Sequence, residues 1–334
     1  MRILITGSAG FIGRKLAADL IRNPVLKDGE GRQQRITDLI LVDVMPTPQP
    51  TVPRGGGDAP RVAVVTGGLA EAADLVRRPD APVHGVFHLA AVVSSGAEED
   101  FDLGYRVNLD GTRGLLEACR GLDDPPKFVF ASSVAVFGGV MPDVIRDETV
   151  ATPQTSYGTQ KLIGELLVND FSRKGMVDGR SLRLPTVMVR PGKPNKAAST
   201  FASSIIREPL QGQRAVCPVP DDTGLWVLSP RRVVAAMRHA FDLPAGRLLA
   251  AGGRTVNLAG LTVSVADVVE AVRKAGGADA AGLIDFVPDE RIQAIVRTWP
   301  VRFAPDRALA LGFVPDDSLE AIIAAFVEDD LNAE

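Results

Sequence analysis

Tyr157-Gly-Thr-Gln-Lys161 puts a phenol and an ammonium four residues apart, the separation at which two helical side chains share one face, one turn from each other. Two hydroxyls, Ser132 and Ser133, stand shortly upstream. A phenol with a reference pKa of about 10 is a poor base at neutral pH, and bringing it near 7 requires phenolate to be favoured by about 4 kcal/mol. A nearby ammonium acts in that direction. These residue types support removal of a proton from a substrate hydroxyl by Tyr157, with Lys161 lowering its pKa and Ser133 orienting that hydroxyl. Acyl transfer from Ser133 is set aside, because a nucleophilic serine needs an adjacent base and His84, His88 and His239 form no such motif.

Such a group needs elements to position it. Lys127-Phe-Val-Phe-Ala131 reads as a buried strand, which places Ser132 and Ser133 at its carboxyl end, where ligands of open α/β sheets bind. Tyr157 to Phe171 reads as a helix. At the start of the chain, the apolar run Arg2 to Thr6 reads as a strand, followed by Gly7, Gly10 and Gly13. Ile12, Leu16 and Leu20, with Ala17 and Ile21, then keep a helical beat. Strand, glycine turn and helix form a phosphate cradle: glycine lets the backbone bend and approach an anion, and the helix points free N–H groups at it. Asp38 to Asp43 reads as a second strand ending in an acid that accepts ribose hydroxyls and favours NAD over NADP, after a polar insertion, Asn23 to Arg35. Residues 46 to 60, rich in Pro and Gly, read as a surface loop. Arg61 to Thr66, Gly85 to Ala91 and Ser181 to Val189 read as strands, and Ala70 to Arg77 and Asn108 to Gly121 as helices. Strands alternating with helices predict βαβ units on a parallel sheet.

After Arg190 the pattern turns irregular, with helices expected over Ser203–Pro209, Arg232–Phe241, Ser264–Ala275 and Ser318–Val327. The expected fold is α/β: a Rossmann-type doubly wound parallel sheet with helices on both faces, plus a smaller mixed C-terminal substrate domain that reads as a lid of helices and loops. The expected division gives 1–187, with a return segment at about 228–258, to the cofactor domain, and 188–227 with 259–334 to the smaller one. Of the 334 residues 46% are hydrophobic and 23% charged, enough for an ordinary core. A net charge of −4 offers no basic face for nucleic acid. Cys119 and Cys217 are isolated and the histidines do not cluster, so no metal is expected. No signal peptide and no apolar run of about 20 residues is present, so a soluble cytoplasmic protein without membrane contact is expected.

Several motifs, taken together, resemble the extended short-chain dehydrogenase/reductase superfamily over nearly the whole chain. They are Thr6-Gly-Ser-Ala-Gly-Phe-Ile-Gly13, His88-Leu-Ala-Ala91, Asn108-Leu-Asp-Gly-Thr112, Phe130-Ala-Ser-Ser133 with Val136-Phe-Gly138, Pro153-Gln-Thr-Ser-Tyr157 with Lys161, Arg183-Leu-Pro-Thr-Val187 and Ala308-Leu-Ala-Leu-Gly-Phe313. The resemblance implies NAD as cofactor, Ser133, Tyr157 and Lys161 as the catalytic group, and a homodimer. It also implies cofactor contacts from Gly7, Ser8, Gly10, Phe11, Ile12, Gly13, Asp43, Leu69, Leu89, Ala90, Ala91 and Asn108, with Tyr157, Lys161, Pro185 and Thr186 around the nicotinamide end. Members often carry Gly-Asp-Leu after the third strand, where the acid contacts adenine. This chain has Gly67-Gly-Leu69, so backbone or Leu69 must serve there. Ser132-Ser-Val134 lacks the carboxylates of the sugar-nucleotide 4,6-dehydratases, which sets that subclass aside.

The stretch Leu184 to Ser199, with Ile206-Arg-Glu-Pro-Leu210 and Pro218-Val-Pro-Asp-Asp-Thr223 before Trp226, is similar to the bacterial sugar-acid dehydrogenases of that superfamily. This implies NAD-dependent oxidation of a small, four-carbon sugar acid at its C2 hydroxyl. A small carboxylate substrate calls for a fixed cation, and arginine forks bind carboxylates at two points; Arg190, Lys193 and Arg207 are the candidates. Ser95, Thr186, Asn195 and Ser199 are expected to hydrogen-bond the substrate and Trp226 to wall the pocket. Two other readings stay open: a nucleotide-sugar 4-epimerase, whose diphosphate would use the same cations, and a dinucleotide-sensing protein without activity, whose relatives usually lose the Tyr or Lys retained here.

Overall fold

Strands buried on both faces read as near-continuous apolar runs, and helices must cover those faces. In the computed structural model, which describes residues 1–51, 59–192 and 198–332, the first half runs β1 (Arg2–Thr6), α1 (Phe11–Arg22), a hairpin of β2 (Val25–Lys27) and β3 (Gln33–Arg35), β4 (Asp38–Asp43), β5 (Arg61–Thr66), α2 (Leu69–Val76), β6 (Gly85–His88), α3 (Ser94–Glu99), α4 (Phe101–Gly104), a π-helical segment (Tyr105–Gly111), α5 (Thr112–Arg120), β7 (Lys127–Ser133), α6 (Ser156–Arg173) and β8 (Asp178–Leu184). There follow β9 (Thr186–Val187), α7 (Thr200–Leu210), β10 (Ala215–Cys217), β11 (Gly224–Leu228), α8 (Pro230–Asp242), α9 (Ala245–Ala250), β12 (Thr255–Asn257), β13 (Leu261–Ser264), α10 (Val265–Ala281, interrupted at Gly277), β14 (Ile284–Phe286), α11 (Glu290–Val296), α12 (Asp306–Ala310) and α13 (Leu319–Phe326).

Among the described residues seven strands form one parallel sheet, in the order β12-β8-β7-β6-β1-β4-β5. This is the Rossmann-type doubly wound sheet expected from the sequence. Because side chains alternate across a strand, Ile3, Ile5, Leu39, Leu41, Phe87 and Val129 join a core under α1 and α8. Leu4, Ile40, Val42, Val86, Phe128 and Phe130 join the core on the other face, under α2, α5 and α6. Strand order reverses between β1 and β6, so the crevice beyond their carboxyl ends is the switch point at which such sheets bind ligands. A separate core of Met188, Phe201, Ile205, Leu225, Val268 and Ile322 holds α7, α10 and α13 together.

Some elements differ from the expectation. The later part is more than helices and loops, since β11 lies between β9 and β13 in a three-stranded sheet and β10 pairs in parallel with β14. Strands of two to five residues carry too few alternations to be read from sequence. The insertion at 23–35 folds as the β2–β3 hairpin, tied down by Arg238, which donates to the Asn23 and Val25 carbonyls. β6 ends at His88 rather than Ala91, because the Ala90 N–H turns aside to the Thr6 hydroxyl. Residues 105–111 are π-helical, and regular α-helix begins only at Thr112.

Helix α6 carries Tyr157 and Lys161 and starts at Thr155, whose hydroxyl accepts from the Gly158 N–H at 3.0 Å. It lies close against β7 and the turn that follows: a Cβ at Gly164 would stand 2.6 Å from the Phe130 ring, and one at Gly158 would overlap the Ala135 carbonyl oxygen. Gly158→Ala should therefore force α6 away from Ser133, costing about 1–3 kcal/mol as overpacking does. Thermal unfolding should show a lower Tm, and an unchanged Tm would mean that this approach is not tight.

Candidate active site

β1 ends at Thr6 and the chain turns through Gly7, whose φ of +72° lies in the left-handed region that favours glycine. A Cβ there would stand 2.6 Å from the Ala90 nitrogen and 2.8 Å from the Leu89 carbonyl carbon, and one at Gly13 would overlap the Gly7 carbonyl oxygen. The N-terminus of α1 opens at Gly10 with no side-chain cap, leaving first-turn N–H groups available to an anion. Asp43 braces the turn: one carboxylate oxygen accepts from the Ala9 N–H and the other from the Met45 N–H, each at 2.9 Å.

Gly7, Gly10, Phe11, Ile12, Gly13, Asp43, Leu69, Leu89, Ala90, Ala91, Tyr157 and Lys161 line one cavity of 710 Å³. A glycine cradle that any Cβ would fill, continuous with the tyrosine–lysine face, fits a dinucleotide. Four residues expected near the cofactor stand outside that lining. Ser8 is buried, its hydroxyl 2.9 Å from that of Thr47. Asn108 is used in full by its neighbours, bonding both the N–H and the carbonyl of Val92 and the Gln160 carbonyl oxygen; it holds the loop that lines the cavity. Pro185 precedes β9, where Thr186 pairs with Val227.

At the Tyr157 end of the cavity the Ser133 hydroxyl accepts from the Ala135 N–H at 3.1 Å. Burial pushes the Tyr157 hydroxyl up from its ordinary value, while the Arg190 guanidinium and the Ser133 hydroxyl pull it down. Arg190 thus joins Lys161, the cation expected from the sequence, in the positive surroundings of Tyr157. Arg190 lies 5.4 Å from the Phe11 ring centre, at the glycine turn. The Lys161 ammonium donates to the Ala131 carbonyl at 2.8 Å and lies 4.8 Å from the Phe130 ring centre and 5.6 Å from that of Tyr157. Burial pulls Lys161 down to about 8, and Glu165 works against that pull.

Glu165 and Arg183 are the residues that sequence reasoning missed. Glu165 sits one turn beyond Lys161, is paired at two points with Arg183 at 2.9 and 2.7 Å, and accepts from the Ser132 hydroxyl. The stripe Tyr157, Lys161, Glu165 at intervals of four was the available signal.

The expected substrate contacts separate. Arg190 stands outside the cavity lining but acts on Tyr157 through its charge, whereas Arg207 is buried, paired with Glu208 and donating to the Arg190 carbonyl, so it anchors Arg190 in place. Trp226 is buried and stacked on Phe303 at 4.9 Å, outside the cavity lining. Ser95 stands on the first turn of α3, just after the lining residues Val92 and Val93, and Ser199 precedes α7. Lys193 and Asn195 lie outside the described residues. Among the described residues no three His, Cys, Asp or Glu side chains gather as metal ligands, and no helix is long and apolar enough to cross a membrane.

The model of the NAD dependent epimerase/dehydratase family matches residues 3–227. A D-erythronate dehydrogenase of Cupriavidus necator is 51% identical over 98% of this chain and 98% of its own. One of Haemophilus influenzae is 44% identical over 99% of this chain and 100% of its own. Among solved structures, the nucleoside-diphosphate-sugar epimerase from Agrobacterium tumefaciens is similar with a TM-score of 0.88 at 42% identity, covering 100% of this chain and 95% of that one.

Glu165→Gln leaves the buried Arg183 charge uncompensated and should cost about 3–5 kcal/mol in urea unfolding. Glu165→Gln with Arg183→Met should recover most of that loss. A single variant within experimental error of the parent would deny the pair its structural weight.

Proposed function

The chain belongs to the NAD-dependent epimerase/dehydratase family, the extended short-chain dehydrogenase/reductases, and from that premise we propose that it oxidises a small sugar acid at its C2 hydroxyl, D-erythronate giving the 2-oxo acid. The observation that carries this reading is the Arg190 guanidinium, 5.4 Å from the Phe11 ring centre at the glycine turn, whose charge acts on Tyr157. In a 2-hydroxy acid the carboxylate is bonded to the reacting carbon, so a cation within reach of the base is what that substrate requires. In a nucleotide sugar the diphosphate lies several bonds from the carbon oxidised. The D-erythronate dehydrogenases that match over their full length support the same substrate.

The glycine turn would hold the pyrophosphate of NAD and Asp43 its adenosine ribose, and the bound cofactor would accept the C2 hydrogen as hydride. Tyr157 takes the proton of the C2 hydroxyl, and Ser133 holds that hydroxyl in line. Arg190 binds the carboxylate and stabilises phenolate on Tyr157. Lys161, anchored on the Ala131 carbonyl, presents positive charge beneath the tyrosine ring. In this scheme residues 1–187 with 228–258 carry the cofactor, and 188–227 with 259–334 shape the substrate side.

The test is NADH formation by the purified protein across sugar acids of increasing chain length, beside UDP-glucose and UDP-galactose. Turnover of D-erythronate that needs added NAD is expected; interconversion of the nucleotide sugars without net NADH would make the protein an epimerase. Tyr157→Phe should lower kcat by about 10²–10⁴-fold with the Kd of NAD unchanged, and weakened NAD binding instead would remove Tyr157 from the base role. Because the Arg190 charge lowers the Tyr157 pKa, Arg190→Met should move the acid limb of the rate profile to higher pH and raise KM for the acid at least about tenfold. An unmoved limb with an unchanged KM would exclude that pairing.

A further inference from the structure

Four titratable residues line the cavity among the described residues: Asp43, Arg106, Tyr157 and Lys161. Asp43 braces the glycine turn, and Tyr157 and Lys161 belong to the reacting end. Arg106 has no part in either. It stands on the π-helical segment Tyr105–Gly111, is exposed, and its side chain makes no hydrogen bond or ion pair with a described residue.

The wall around Arg106 has a distinct chemistry. Gly111 of the same segment packs against Leu69, whose Cβ would stand 3.2 Å from a methyl added at Gly111, so the segment and α2 close on each other here. Leu69, Ala70, Leu103, Val107 and Val44 make this end of the cavity aliphatic. It holds no carboxylate to receive an amino group: position 68 is glycine, and Glu71 turns back to accept from the Gly68 N–H at 2.7 Å. The anion cradle lies on the other wall, at the β1–α1 turn. An aliphatic slot with a single unpartnered planar cation at its rim fits a flat, uncharged aromatic group, because a guanidinium gains energy on a π-face while aliphatic side chains cover the opposite face.

We propose that Arg106 is the adenine contact of this protein, its guanidinium lying on the face of the purine against the slot of Leu69 and Val107. This rests on the reading that the cavity takes NAD. The base is then held by stacking and by backbone, with no side-chain carboxylate selecting its amino group.

Affinities decide the matter, measured by titration calorimetry for the parent, Arg106→Ala and Arg106→Lys with three probes: NAD, ADP-ribose, and nicotinamide mononucleotide, which lacks the adenosine. Arg106→Ala should raise the Kd of NAD and of ADP-ribose about three- to tenfold, with the mononucleotide unaffected. Arg106→Lys should recover only part of the loss, since an ammonium keeps the charge and loses the planar face. Unchanged NAD affinity in Arg106→Ala overturns the assignment. So does full rescue by lysine, which would mark a phosphate contact, or an equal loss for the mononucleotide, which would mark a structural role. A parent protein that binds neither NAD nor ADP-ribose overturns the functional reading itself, and a parent that binds both while Arg106→Ala does not weaken them overturns only the place of Arg106.

Discussion

The β1–α1 turn has no room for a side chain at Gly7 or Gly13, and most of the site follows from that. With Gly7 against the Leu89–Ala90 backbone, the carboxyl ends of β1 and β6 meet where strand order reverses, and the crevice opens beyond them. A buried histidine knits the contact. The Thr112 hydroxyl donates to the Asn108 carbonyl, so it accepts from His88 Nε2, and His88 Nδ1 in turn accepts from the Thr6 hydroxyl. Burial holds His88 down to about 3, so it stays neutral and keeps that tautomer at working pH. Thr6, left with an acceptor, receives the Ala90 N–H.

Around this frame the protein buries charge and compensates it locally. Helix α6 sets Tyr157, Lys161 and Glu165 on one stripe, from the cavity inward. Arg183 on β8 neutralises Glu165, Glu165 favours the charged form of Lys161, and the Ala131 carbonyl fixes where that ammonium points. Arg190 comes from a different part of the chain, and its own position depends on Arg207, Ser203 and the packing of α7. Tyr157 is thus held by α6 against the large sheet, and Arg190 by the packing of α7.

The two halves are also tied away from the cavity. Ile145, in the loop between β7 and α6, exchanges backbone hydrogen bonds with Arg302 and Ala304. Asp316 receives both the N–H and the hydroxyl of Ser229, at the start of α8. Trp226 works in this second frame, stacked on Phe303, which in turn meets Phe137 edge-on. A tryptophan near a substrate loop reads from sequence as a pocket wall; here, on a central strand, it is the packing between halves.

The parallel sheet, the glycine turn, the acid at the end of β4 and the Tyr157–Lys161 face were all legible in the sequence, because each depends on local periodicity or on a fixed spacing within one element. The β9–β11–β13 sheet and the β10–β14 pair were not, being short strands whose partners come from distant parts of the chain. The charge environment of Tyr157 could not be read either. A spacing of four shows which side chains share a helix face, but the burial of the phenol, the turning of Lys161 to Ala131 and the approach of Arg190 depend on how α6, β7 and the segment after β9 pack. Local sequence determined which groups stand ready. Only tertiary packing decided which charge meets which, because electrostatic energy depends on distance and burial in space rather than on separation along the chain.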